Sequence, residues 1–341
     1  MSRYDGHGSS DTSEASTNAT PTLGGIDPAA QLQPDPELLT DGLPYISKSR
    51  LKTYLTCPAK FYWKYWCGHR TPGSYHTEKG SRLHEAFEVF HLNLIDYVEE
   101  HGERPAEFQP LMPHWSNYAQ WIEQFGNFVK FEERRWRAAC ESVVGEIAIG
   151  DSLGMARRRW LPVEVEAEFW LGEPPQSWVE SQGEPDYVAV GPPVGEVPWM
   201  GRIDLMVRTN SLPGVEGNGV SIIDYKTGKV PNPQYRHEGI FTENEMYAMA
   251  VEPHFQVDYT GNYFPQSDTL LLEETPHPGR RSLIESTVVE LQQTPDYLAD
   301  DDNGPPANFD YEEQPLCSWD NANGPGNCHF YNICPSTWRP N

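Results

Sequence analysis

The stretch Ile222-Ile223-Asp224-Tyr225-Lys226-Thr227-Gly228 decides the reading of this 341-residue chain. With Val220 and Ser221 before it, it carries β-branched and apolar residues into a Thr-Gly turn, the pattern of a strand over Val220–Tyr225 that ends where charge begins. Side chains alternate across a strand, so Asp224 and Lys226 share one face and Tyr225 points to the other. Upstream, Gly201-Arg202-Ile203-Asp204-Leu205-Met206 falls in a second predicted strand, Trp199–Arg208. If these strands are neighbours, two carboxylates and an ammonium converge. Two carboxylates suit a hard divalent ion such as Mg²⁺. A lysine beside them can orient the attacking water and balance charge at a phosphate. Taken alone, D-x-K at a strand end is equally the pattern of a surface salt bridge.

Around this pair the periodicity alternates between helix and strand. Leu83, Phe87, Phe90, Leu94 and Val98 recur at spacings of three and four and predict a helix over Lys79–Glu100. Gly80-Ser81-Arg82-Leu83-His84 opens it, and Glu88 follows His84 by one turn on the same face. A histidine beside an apolar stripe can be a metal ligand or a packed core residue. Ile122, Phe125, Val129 and Trp136 predict a second helix over Trp115–Val144. Further strands are expected at Pro162–Leu171 and Thr269–Glu273, a short helix at Thr242–Val251, and loops at Pro276–Pro278 and Pro295–Pro315. The mixture predicts an α/β fold, with a mixed central sheet flanked by helices. The chain carries no repeat of 20–50 residues and no G-x-x-x-x-G-K-[ST] phosphate loop, so no motor of its own is expected.

Composition bounds the function. Fifty acidic against 25 basic residues leave a net charge of −25, which excludes nucleic-acid binding through bulk charge. Eight of the basic residues are Lys and the rest Arg, a pattern expected of a protein working in concentrated salt, where the Debye length falls to about 3 Å at 1 M. An ordinary acidic protein is the alternative. No apolar run reaches the roughly 18 residues of a membrane span, and the polar N-terminus lacks a signal-peptide core, so a cytoplasmic location with no membrane partner is expected. Residues 1–44 hold seven acids, one arginine and a single aromatic, and are expected to be a disordered acidic tail before a domain over 45–341. From Tyr45 to Thr77 the balance inverts: no acid occurs, and Lys48, Arg50, Lys52, Lys60, Lys64 and Arg70 are interleaved with Tyr54, Phe61, Tyr62, Trp63, Tyr65 and Trp66. Such an island is a candidate surface for stacking nucleic-acid bases, or an amphipathic helix with its aromatics in the core.

The six cysteines supply a second signal. Cys317, Cys328 and Cys334 cluster near the C-terminus, Cys57 lies in Leu55-Thr56-Cys57-Pro58-Ala59-Lys60-Phe61, and Cys67 and Cys140 stand apart. Four thiolates can hold an Fe–S cluster or a structural Zn²⁺, with Cys67 or His329 as alternative ligands. Cys140, within the second helix, reads as a small buried apolar residue.

The order of these elements, G-x-x-x-H on a helix, G-x-x-D in a strand, D-Y-K-T-G, then a helix with Tyr247, resembles the PD-(D/E)XK nuclease superfamily, from about Ile46 to Cys334. It is most similar to the RecB-type branch, which includes AddB-type repair nucleases and CRISPR-associated adaptation nucleases. The resemblance implies a restriction-endonuclease-like core with an N-terminal helical region and a C-terminal cysteine-rich segment. It implies Mg²⁺ or Mn²⁺ held by His84, Asp204, Asp224 and the backbone carbonyl of Tyr225, with Lys226 as the catalytic lysine. Tyr247 and Glu243 would contact substrate, although Glu243 stands where the family has glutamine. Glu88 would be at most an outer partner. Cys57, Cys317, Cys328 and Cys334 would hold a [4Fe-4S] cluster that staples the chain ends. The implied activity is hydrolysis of DNA, single-stranded or with free ends, in repair or recombination, with a separate helicase subunit as a candidate partner. Spacer processing in CRISPR adaptation and a non-catalytic DNA-binding subunit are the rival readings.

Overall fold

The computed structural model describes residues 35–69, 75–144, 151–189, 191–231 and 239–299, together with residues 320, 321, 324, 325 and 330. Val220–Tyr225 is indeed a strand, β5, and all six of its side chains are buried. Strands buried on both faces read as continuous apolar runs, which explains its legibility. β5 pairs on one edge with antiparallel β4 (Trp199–Arg208) and on the other with parallel β6 (Val257–Phe264). The parallel step requires a crossover, and α8 (Gly239–Val251) provides it. β2 (Glu164–Leu171) flanks β4, β3 (Tyr187–Ala189) lies outside β2, and β7 (Thr269–Glu274) closes the far side, giving the order β3-β2-β4-β5-β6-β7. A two-residue strand, β1 (Ile46–Ser47), pairs in parallel with Trp199–Met200 of β4.

Helices cover both faces of this mixed sheet. On one face α2 (Lys48–Thr56), α3 (Pro58–Phe61), α8 and α9 (Pro278–Ala299) bury Leu51, Phe61, Met246 and Ile284 against Met206, Val220 and Ile222. On the other, α4 (Tyr75–His101), α5 (Ile122–Val143) and α6 (Ser152–Trp160) bury Leu83, Phe87, Phe128 and Trp160 against Leu205, Val207, Ile223 and Tyr225. The alternation of β4 and β5 thus feeds two separate cores. Among the described residues no helix is long and apolar enough to cross a membrane.

Several expectations change in detail. The helix expected from Trp115 begins as two short 3₁₀ turns, Trp115–Asn117 and Ala119–Trp121, and becomes α-helical only at Ile122. His114 accepts a hydrogen bond from the Ser116 amide, a local side-chain bond that competes with the helical ladder. The loop expected over Pro295–Pro315 is helical at its start, because α9 runs through Pro295 to Ala299; residues 300–315 lie outside the described residues. Packing of Ile284, Val288 and Leu291 holds its preceding turns, so the proline removes one backbone bond without ending the helix. Within the segment expected as a tail, Pro36–Asp41 forms a capped helix, α1, Leu43 is buried and the Asp35 amide bonds the Trp66 carbonyl; residues 1–34 lie outside the described residues.

A buried ionic triad ties α4, α5 and α6 together. Arg135 grips Glu132 with two hydrogen bonds of 3.0 and 2.9 Å and donates to the Trp160 carbonyl and the Ser211 hydroxyl. His91 Nε2 lies 3.2 Å from the same carboxylate, and all three side chains are fully buried. Burial alone would raise the Glu132 carboxyl, but Arg135 and His91 outweigh it and hold it at about 2. Removing one member leaves uncompensated buried charge. Glu132→Gln should therefore lower the unfolding free energy by about 3–5 kcal/mol in urea melts. Because the folded carboxyl is depressed, its contribution is present above its ordinary value of 4.5 and is lost as pH falls toward 2. The acid limb of the wild-type stability curve should flatten in the variant.

Candidate active site

Register places three carboxylates in one row across three strands. Val165 pairs with Leu205 and Ala167 with Ile203, so Glu166 stands opposite Asp204. Leu205 pairs with Ile223, and one step further Asp204 faces Asp224. Neighbouring strands lie about 4.8 Å apart, and like charges directly opposite destabilise a sheet. The ladder also parts here. β5 pairs with β4 only from Leu205 to Arg208, and β1 only at Trp199 and Met200, which leaves Gly201–Asp204 between them. Into that gap the Tyr225 amide donates a 2.6 Å hydrogen bond to Asp204 Oδ2. Glu166 adopts φ 48°, a left-handed conformation uncommon outside glycine and of the kind that clusters at functional sites.

α4 brings the imidazole. Lys79 Nζ donates to the Thr227 carbonyl at 2.7 Å, docking the start of the helix on the turn after β5. One turn on, His84 Nε2 lies 3.0 Å from the Tyr225 carbonyl, and Nδ1 lies 3.6 Å from both Glu166 and Asp204. The ligand atoms of His84, Glu166 and Asp204 all fall within 4.8 Å of one another. Oxygen and imidazole donors of this kind fit Mg²⁺ or Mn²⁺.

Electrostatics follow from burial and neighbours. Burial, with Asp224 beside it, pushes the Asp204 carboxyl up to about 7 against the opposing pull of His84 and Lys48. Burial would also raise Asp224, but Lys48 and Lys226 hold it well below the usual carboxylate range. Burial would lower His84; the close Glu166 carboxylate and the charges of Asp204 and Asp224 prevail and push it up to about 9.

Beyond Asp224 the charges alternate. Lys226 Nζ is 2.6 Å from Asp224 and 3.4 Å from Glu243, and Lys52 pairs with the other side of Glu243. Lys48 pairs with Asp224 and holds its ammonium 4.5 Å from the Tyr247 ring centre. Tyr247 lies over Gly201 and meets Phe169 edge-on at 5.6 Å.

This row, with a histidine above it and a lysine at its end, is accompanied by a match of residues 45–335 to the PD-(D/E)XK nuclease superfamily. The chain belongs to that superfamily. No curated protein matches the chain. The sheet and its two helical layers make this nuclease-superfamily chain a restriction-endonuclease-like fold.

Of the residues expected at the site, His84 and Asp204 share one ligand group with Glu166 beneath the Tyr225 carbonyl; Asp224 lies outside that group, paired with Lys48 and Lys226, with Glu243 beside Lys226 and Tyr247 beneath Lys48. Glu88 stays outside the ligand group; burial and Glu166 raise its carboxyl. Glu166, Lys48 and Lys52 are the site residues that motif reading missed. The alternation Glu164-Val165-Glu166-Ala167-Glu168 and the four-residue spacing of the lysines were the available signals. The stacking surface expected in the basic island is corrected: Tyr54, Phe61, Tyr62, Trp63 and Trp66 are buried in the core, and Arg50 lies over the Tyr45 ring. Their apolar area outweighs any gain from exposure. Cys57 is half-buried at the junction of α2 and α3; Cys317, Cys328, His329 and Cys334 lie outside the described residues. Cys140 is half-buried in α5 rather than fully enclosed.

Gly201 is where the site and the core meet. A Cβ there would lie 2.6 Å from Tyr247 Cε1 and 2.7 Å from Phe169 Cζ. Gly201→Ala should displace the Tyr247 ring and cost about 1–3 kcal/mol of stability, read by chemical denaturation and by the aromatic circular dichroism.

Proposed function

We propose that this chain is a metal-dependent deoxyribonuclease that hydrolyses phosphodiester bonds. The observation that carries the reading is the Glu166–Asp204–Asp224 row with His84 above it and Lys226 at its end. His84, Asp204, Asp224 and the Tyr225 carbonyl would hold Mg²⁺ or Mn²⁺, and Glu166 joins them as a further carboxylate. The ion, when bound, supplies Lewis acidity toward a phosphoryl oxygen and an activated water.

The protein's own groups prepare that chemistry. The Tyr225 amide fixes the rotamer of Asp204. Glu243 and Asp224 hold the Lys226 ammonium between them, where it can orient the nucleophile and offset charge at the phosphate. His84 must give up a proton to ligate, and so must Asp204 when protonated. With His84 at about 9 and Asp204 at about 7, Mn²⁺ affinity should rise with pH across that interval. Calorimetric titration at pH 6, 7.5 and 9 checks the sign; a flat or falling affinity contradicts the ligand set.

Asp224→Asn and Lys226→Ala should each reduce Mn²⁺-dependent cleavage of labelled DNA by about a hundredfold or more, and EDTA should abolish it. Asp224→Asn should also weaken Mn²⁺ binding, whereas Lys226→Ala should leave it in place. Full activity in either variant would overturn the assignment. The substrate we assign is DNA that is single-stranded or has free ends, handled in repair or recombination, following the RecB-type resemblance.

A second metal centre is proposed at Cys57, Cys317, Cys328 and Cys334 as an iron–sulfur cluster. Phe330, between the last two cysteines, supports it: the ring is buried with centroids 6.2 Å from Trp63 and 6.3 Å from His69, on the chain that follows Cys57. Cys67 is the rival ligand, and burial pushes its thiol up to about 12, which disfavours the thiolate that a metal needs. Protein purified without oxygen should be brown, since iron–sulfide charge transfer absorbs visible light and filled-shell Zn²⁺ does not. Cys57→Ser should bleach it and Cys67→Ser should not; colourless protein with stoichiometric zinc would replace the cluster with a zinc site.

A further inference from the structure

Asp224 faces two ammonium groups, one more than its charge requires. Lys226 belongs to the same strand end and has a second carboxylate, Glu243, at 3.4 Å. Lys48 comes from a different part of the chain. β1 fixes its backbone through the pairs Ile46–Trp199 and Ser47–Met200, and the Ser47 hydroxyl caps α2 by accepting from the Arg50 amide at 3.3 Å. The side chain of the first helical residue is thereby directed at the carboxylate row and is only 16% exposed. Among the described residues Asp224 is the one carboxylate it pairs with, and the Tyr247 ring lies beneath it.

A divalent cation on Asp224 changes this balance. Coulomb attraction between charges at contact distance is strong in a partly buried site, so an ammonium and a divalent ion compete for one carboxylate. Lys226 can fall back on Glu243. Among the described residues Lys48 has no second carboxylate within salt-bridge distance, Asp204 and Glu243 acting on it only from further off, and β1 tethers its backbone beside the carboxylate row.

We propose that Lys48 is a phosphate-binding residue: the counter-ion of Asp224 in the metal-free chain, and the partner of a DNA phosphate once the metal has taken Asp224. The proposal rests on the nuclease reading above and adds a second lysine to it, carried by the N-terminal helix rather than by the sheet. Lys48 then acts as a gate, holding the carboxylate ready without metal and turning to the substrate with it.

The test uses the full-length protein with Mn²⁺ alone, and with Ca²⁺ and a short single-stranded oligonucleotide. Lys48→Met should tighten Mn²⁺ binding in calorimetry about tenfold, because the competing ammonium is gone. It should also reduce the slope of log affinity against log salt by roughly 0.7, the loss of one phosphate contact to a single strand. Lys48→Arg should restore the slope. Acetylation footprinting of the wild type gives an answer without a variant: Lys48 should become more reactive when Mn²⁺ is added and be protected again by the oligonucleotide. Unchanged reactivity, or weaker Mn²⁺ binding in a folded Lys48→Met protein, would overturn the proposal. If the wild type cleaves DNA in Mn²⁺ while Lys48 stays indifferent, the gate falls and the nuclease stands. If the wild type neither binds Mn²⁺ nor cleaves, the nuclease reading falls and takes the gate with it.

Discussion

Repulsion between carboxylates placed opposite one another on β2, β4 and β5 is the constraint around which the rest of the site is arranged. Pleating puts Glu166, Asp204 and Asp224 in one row at the strand spacing, and a sheet does not hold such a row without compensation. Each neighbouring element contributes to that compensation. α4 delivers His84, β5 delivers the Tyr225 amide and Lys226, and α2 delivers Lys48. The ladder opens beside Asp204 because a fully paired β4 edge would leave the Tyr225 amide no route to that carboxylate. The left-handed backbone of Glu166 belongs to the same compromise.

The two cores make the arrangement rigid. Tyr225 points away from the carboxylates into a cluster with Phe87, Phe128 and Tyr263, at ring separations of 4.8 to 6.3 Å. The residue whose amide holds Asp204 is therefore anchored by the opposite face of the sheet. The His91–Glu132–Arg135 triad lies behind this cluster and fixes the helix that carries His84 relative to α5. On the near face, Tyr247 rests on Gly201, and that close approach sets how deeply α8 sits and where Lys48 finds its ring. Positioning a charged side chain to within a fraction of an ångström depends on such packed supports.

How much of this was legible depended on whether the signal lay within one element. Strands β4 and β5 were readable to the residue, because a β-branched run between polar breaks carries its own boundaries. Asp204, Asp224, Lys226 and His84 were singled out by motif order, and the fold sets His84 beside Asp204 and Lys226 beside Asp224. β6 was not, since Gly261 and Asn262 interrupt its alternation; Gly261 is required there because a Cβ would lie 2.5 Å from Leu272 Cδ2. α9 was obscured by Pro295, whose helix-breaking preference is overridden by burial of the preceding turns, while Pro278 stands at its first position, where proline fits a helix. Glu166 and Lys48 carried only faint local signals, for a deeper reason. Each owes its place to a register between segments far apart in sequence, which no window of one element contains. The basic, aromatic island misled in the same way: its composition suited base stacking, but tertiary burial turned its rings inward and its first lysines toward the carboxylates.

If a chain with a net charge of −25 acts on a polyanion, as proposed above, it faces repulsion at long range. At the site the balance differs. Glu166, Asp204, Asp224 and Glu243 meet Lys48, Lys52, Lys226 and a histidine whose proton is strongly held, so four acids face four cations. A divalent cation added to an even balance makes the site locally positive, and its reach is limited to about a Debye length, roughly 8 Å at physiological salt. Attraction for phosphate is then confined to groups already threaded into the site, while the acidic exterior repels the remainder of the strand. In the nuclease reading proposed above, a bound metal ion would do more than activate water: it would convert a near-neutral site into one that seeks an anion, in a chain whose overall charge is acidic.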